Sequence, residues 1–140
     1  MATTAGYSGT PLPRKLGIKP EARLALIGAP EGMRDTLGEL PPGVEVRTRL
    51  AGHFDVIVAF FARRAVLERR LPALHGALDE AGGLWLAWPK RTSGLTTDLG
   101  DDIVRELGLA TGLVDNKVCA IDQTWSGLRF VYRRADRART

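Results

Sequence analysis

Three groups of residues in this 140-residue chain have types and spacings that do chemistry. The richest is Trp88-Pro89-Lys90-Arg91 followed by Thr92, Ser93, Thr96 and Thr97. Lys90 and Arg91 would hold an anionic group, with the N-terminus of the next helix assisting. The second is the turn from Gly28 to Gly32, which with the Lys90-Arg91 loop makes a candidate small-molecule or nucleotide site. The third is Cys119, which shares one face of its strand with Lys117, a cation of the kind that lowers a thiol pKa. No histidine is near Cys119 in sequence and free cysteine is commonly a small core residue, so no catalytic residue is assigned. His53 and His75 have no cysteine, histidine or acidic partner at ligand spacing, so no structural metal is expected.

These residues need a scaffold, and the hydrophobic pattern supplies one. Thr10-Pro11 and Gly17 bracket a short helix over residues 11 to 16 within an N-terminal arm, residues 1–20. Arg23 to Ile27 is a compact apolar run that turns at Gly28-Ala29-Pro30, a buried parallel strand passing into a helix of about residues 30 to 38. Val44 to Leu50 alternates apolar and charged residues, the period of a strand near a sheet edge. FDVIVAFF, Phe54 to Phe61, is apolar on both faces apart from Asp55, as a central parallel strand covered by helices should be.

Val66, Leu67, Leu71, Leu74 and Leu78 recur at helical spacing, with Pro72 predicting two helical pieces that meet near it. Gly82-Gly83 is read as the stop of that helix and Leu84 to Trp88 as the next strand. Leu99, Ile103, Val104 and Leu107 mark a helix face, with Asp98 as N-cap and Gly108 past the end. Val114 to Ile121 and Trp125 to Arg133 are two strands joined by three residues, a connection that links only antiparallel neighbours. Trp85 and Trp88 point to opposite faces of their strand, and Trp125 is expected to pack over the hairpin, the alternative being that it presents an interaction surface.

Composition narrows the function classes. Apolar residues at 44% and charged residues at 26% describe an ordinary globular domain, here residues 1–133 followed by a basic tail, 134–140. The longest apolar run, Val56 to Ala62, is seven residues against the roughly 20 that span a bilayer. No membrane association, secretory signal or internal disulfide is expected, and the address is read as cytoplasmic. The formal charge is +4, and residues 129–140 alone carry five arginines against Asp136. The other 128 residues hold fifteen charges of each sign, so nucleic acid is disfavoured as a partner.

The order strand, helix, strand, strand, helix, strand, helix, strand, strand is similar to a class I S-adenosylmethionine methyltransferase lacking one helix-strand-helix segment. That fold also ends with an antiparallel strand inserted into an otherwise parallel sheet. KPEARLALIGAPEG, residues 19 to 32, resembles its entrance, and FDVIVAFF, GGLWLAW and the final hairpin resemble its second half. The resemblance implies a glycine-rich turn preceded by an acidic residue, and a second carboxylate after the second strand for the ribose. Here Leu26 stands at the first acidic position, Pro30 replaces the middle glycine between Gly28 and Gly32, and Arg47, Thr48 and Arg49 occupy the second region. Pro30 removes a backbone donor and Glu31 puts negative charge where an anion would sit.

YSGTPLPRKLGIK at 7 to 19, LWLAWPK at 84 to 90 and VCAIDQTWSGLRFV at 118 to 131 resemble segments of a small bacterial family, frequent in actinobacteria, known as a domain of unknown function. That likeness implies the fold and brings no activity, substrate or cofactor.

The reading is therefore an α/β, three-layer Rossmann-like sheet of about six mostly parallel strands with a C-terminal antiparallel hairpin. The expected function is a non-catalytic methyltransferase-like binding or regulatory domain, with no cofactor and with a protein or a small anionic ligand as partner. An alternative is a small-molecule or nucleotide-binding protein or enzyme using Gly28, Gly32, Trp88, Lys90, Arg91 and Thr97. Another is weak nucleic-acid binding through the arginines from Arg133 to Arg139.

Overall fold

FDVIVAFF becomes the middle of the sheet because every one of its residues except Asp55 is buried between two helical layers. The computed structural model describes residues 10–137. The part of the bacterial-family likeness at residues 7–9, and tail residues 138–140, lie outside them.

The strands are β1 (Arg23–Ile27), β2 (Glu45–Arg47), β3 (Phe54–Phe60), β4 (Leu78–Pro89), β5 (Val114–Ala120) and β6 (Trp125–Val131). They form one sheet in the order β2-β1-β3-β4-β6-β5. Neighbours from β2 to β4 are parallel, while β6 is antiparallel to both β4 and β5. The mixed α/β fold with an antiparallel end is therefore the one that the hydrophobic pattern predicts.

Helices α1 (Leu12–Lys15) and α2 (Met33–Leu37) cover one face, and α3 (Arg64–Ala77) and α4 (Asp101–Leu109) the other. Alternation along the strands divides the core accordingly. Leu24, Leu26, Val58 and Trp85 pack with Leu16 and Met33, while Ala25, Ile57, Leu86 and Trp88 pack with Leu67 and Val104. Trp85 and Trp88 do lie on opposite faces, and both are buried.

Four local expectations are corrected. Residues 64–77 form one helix through Pro72. Pro72 is exposed and withholds only the amide that would meet the Glu68 carbonyl, while Leu67, Leu71 and Leu74 on the inner side hold both halves against the sheet. Gly82-Gly83 does not stop that helix, which ends at Ala77; the glycines lie inside β4. The register there jumps from Phe54 opposite Leu78 to Val56 opposite Gly83. A Cβ on Gly82 would stand 2.5 Å from the Asp55 carbonyl oxygen, and one on Gly83 would collide with the Arg129 guanidinium.

The helix after the Lys90 loop begins at Asp101 with Gly100 as its N-cap. Asp98 instead accepts the Arg64 amide at 2.7 Å, capping the start of α3 from 34 residues away. Gly108 lies within α4, where a side chain would strike the Phe130 ring. The second strand and the helix after β1 are also shorter than expected, Glu45–Arg47 and Met33–Leu37.

Candidate functional site

In an open α/β sheet the ligand crevice lies beyond the carboxyl ends of the strands, where successive crossovers leave in opposite directions. Here β1 passes outward to β2 under α2, while β3 passes inward to β4 under α3. The crevice is therefore bounded by the turn after Ile27 and by Phe60 and Phe61.

Gly28 is at φ +65°, and a Cβ on it would stand 3.0 Å from the Phe60 carbonyl oxygen. The glycine lets the two backbones close together. Beside it is a cavity of about 260 Å³ whose walls include Leu26, Pro30, Gly32, Met33, Arg34 and Thr48. That is below the roughly 300–1,000 Å³ of pockets that enclose small molecules. The one carboxylate on its wall is Asp35, on α2 rather than at a strand end.

The sheet separates the two halves of the sequence-derived site. Gly28 and Gly32 belong to β1 and Lys90 and Arg91 to β4, with β3 between them, so the two loops leave the sheet about 10 Å apart. Phe60 at the end of β3 meets the Trp125 ring edge-on, with centroids 5.2 Å apart and planes at 90°. No spacing announces that pair, because the two residues come from distant strands.

Trp88 is 7% exposed and belongs to the α3–α4 core. The Thr97 hydroxyl donates to the Ala62 carbonyl at 2.6 Å and accepts the Leu99 amide at 3.0 Å, tying the loops after β3 and β4 together. The Lys90 amide donates to the Thr124 carbonyl at 2.7 Å, which leaves its half-buried ammonium and the exposed Arg91 guanidinium at the carboxyl edge. Thr92 and Thr96 are exposed, and the Ser93 hydroxyl accepts the Leu95 amide at 3.1 Å.

Cys119 is buried, and that burial pushes its thiol up, outweighing Lys15, Lys117 and Lys90, which act to lower it. The thiol is thus held in its protonated, weakly nucleophilic form. No group of three or more His, Cys, Asp or Glu side chains among the described residues is arranged to hold a metal ion. Nor is any helix among them long and apolar enough to cross a membrane.

The architecture is that of the methyltransferase-like Rossmann folds. A SAM-dependent methyltransferase from Aquifex aeolicus superposes with a TM-score of 0.60 at 12% identity, covering 84% of this chain and 85% of its own. A ribosomal protein L11 methylase from Lactobacillus delbrueckii subsp. bulgaricus gives 0.58 at 13%, covering 88% and 75%. A TehB-like SAM-dependent methyltransferase from Corynebacterium glutamicum gives 0.56 at 14%, covering 91% and 90%. No protein-family model and no curated protein matches the sequence.

The residues present do not fit the cofactor which that fold implies. Leu26, at the first acidic position, is 2% exposed and packs in the core beside Met33. Pro30 offers no amide, and the residue that lines the cavity from beyond the end of β2 is Thr48 and not a carboxylate. A ribose and an ammonium group would find a leucine, a proline and a threonine at these points, with the Asp35 carboxylate on α2 and not at a strand end.

Proposed function

We propose that this chain is a non-catalytic methyltransferase-like domain that serves as a binding or regulatory module. The supporting observation is Leu26, an apolar core side chain at the position where cofactor binding by this fold calls for a carboxylate. A buried leucine cannot be traded for an ionised group without rebuilding the layer under α2. The partner is a protein or a small anionic ligand, the latter held by Lys90 and Arg91, neither of which enters an ion pair among the described residues. A cytoplasmic address and kinship with the small bacterial family resembled above belong to the same reading.

Calorimetric titration with S-adenosylmethionine and S-adenosylhomocysteine, with ATP as a nucleotide control, tests it. No heat of binding with either methyl-cycle ligand is expected. Micromolar affinity for either, or methyl transfer abolished by substituting Pro30 or Lys90, would overturn it.

A further inference from the structure

The balanced charge of the first 128 residues conceals how those charges are distributed in space. Lys117 stands directly opposite Arg129 across the β5–β6 ladder, on the face that α1 partly covers. Lys15 on α1 and Lys90 after β4 both act on the Cys119 thiol beside Lys117, and Arg137 acts on Arg129. Four cations from four separate segments, Lys15, Lys90, Lys117 and Arg129, therefore border the same side of the hairpin. None of them takes part in an ion pair among the described residues.

The nearby acids are turned elsewhere. Asp115 faces the other side, bound to Arg105 at 3.1 Å, and Asp122 accepts the Thr124 and Trp125 amides at 2.8 Å within its turn. Asp136 lies in the turn Arg134–Asp136, next to Arg137.

Arg129 is the anchor of this patch. Its side chain lies over Gly83, where any Cβ would collide with it, and approaches Gly17 at the end of α1. The niche is built from two glycines around a half-buried guanidinium that has no acidic partner among the described residues. Burial and the neighbouring Arg137 both push that guanidinium below its ordinary range, the direction that crowded positive charge produces.

The extent of the patch indicates the ligand. From Trp125 beside Pro89 to Arg129 beside Trp85 is four residues of strand, about 13 Å, and Lys90 follows Pro89 at the Trp125 end, so Lys90 and Arg129 mark the two ends of this stretch. A single phosphate is gripped within about 3 Å of its oxygens, so cations spread this far suit an anion charged along its length. The cations stand on strand and helix positions along the sheet face and not around the cavity beside Pro30, an arrangement that suits a strand laid on the surface. Trp125, half-buried on this same face, adds an indole of the kind on which bases stack.

We infer that the α1-side face of the β5–β6 hairpin, with Lys15, Lys90, Lys117, Arg129 and Trp125, binds single-stranded nucleic acid through its phosphate backbone. This site is separate from the β1 turn and stands whether or not the cofactor reading holds.

The test is fluorescence anisotropy of the full chain with labelled oligo-U and oligo-dT across a salt series. Binding is expected to weaken steeply with salt. The double variant Lys15→Glu/Lys117→Glu should lower affinity at least about tenfold and reduce the log–log salt slope by about 1.4, at about 0.7 per lost contact. Arg69→Glu/Arg70→Glu makes the same charge change on exposed α3 positions across the sheet and should leave affinity within about twofold. Absence of binding at low salt, equal losses in both double variants, or full competition by equimolar pyrophosphate would each overturn the assignment. Circular dichroism of both variants confirms that they are folded.

Discussion

The two sides of the sheet treat charge in opposite ways. On the α3–α4 side, arginines meet carboxylates: Arg64 with Glu68, Arg105 with Asp101 and Asp115, and Arg23 and Arg47 with Glu45. Across the sheet, the hairpin face carries Lys117 and Arg129 with no such partner among the described residues. Both sides rest on equally apolar cores, so packing does not require the difference. The α3–α4 side still presents Arg69 and Arg70 on exposed helix positions, but the cations on its strands, Arg23 and Arg47, are matched by Glu45, whereas Lys117 and Arg129 on the strands of the hairpin face have no matching carboxylate among the described residues.

The comparison can be strained from either side. Phe130→Ala and Trp85→Ala each remove a fully buried ring, one from each face, and each should cost about 3–5 kcal/mol in urea unfolding. A loss below about 1 kcal/mol for Trp85→Ala would mean that the α1 side is not a second core. Next in size, Gly82→Ala should drive its methyl group against the Asp55 carbonyl oxygen and destabilise by about 1–3 kcal/mol, whereas Gly83→Ala, which meets only the movable end of the Arg129 side chain, should cost less. A double change of Gly83→Ala with Arg129→Ala should recover part of the Gly83 loss, and strictly additive losses would refute the niche.

Asp98→Ala should remove the α3 cap for about 1 kcal/mol, with Asp98→Asn retaining most of the stability. Asp115→Ala sits lower still, at less than about 1 kcal/mol, because both partners of Arg105 are partly exposed and screened.

The smallest effect concerns Cys119. Its folded pKa is raised, so the stability it contributes is present below the unfolded thiol's value and declines as pH rises past it. Wild type should therefore lose stability relative to Cys119→Ala above about pH 8.5. Alkylation by iodoacetamide at that pH should be slow until urea is added. Fast alkylation of the folded protein would show that the hairpin's cations prevail over burial.

The strands were legible wherever burial alone decides them. Arg23 to Ile27 emerged with the bounds that its apolar run implies, and the hairpin with its antiparallel pairing, although its strands end at Ala120 and Val131 and not at Ile121 and Arg133. The α3–β4 junction was not legible, because Gly82-Gly83 has the look of a helix stop while its purpose is to admit the Asp55 carbonyl and Arg129, both remote in sequence. Asp98 misled in the same manner: as a local signal it caps the helix after it, but the helix that it caps lies before it. At the candidate site, the departure of Leu26 and Pro30 from the residue types of the fold's glycine-rich turn could be read directly from the sequence. The cationic face could not, since its members are drawn from α1, the Lys90 loop, β5 and β6, and only the sheet brings them into register.

The indole of Trp85 donates to the Leu16 carbonyl at 2.9 Å, across 69 residues of sequence. Leu16 and Ile18, 1% and 4% exposed, are thus interior residues of the domain even though they precede its first strand. The indole proton becomes a reporter: its hydrogen exchange can proceed only when α1 lifts from β4. If nucleic acid settles against Lys15, that proton should slow in exchange while the backbone amides of α3 remain unchanged, so one nitrogen would time the opening of one face of the sheet.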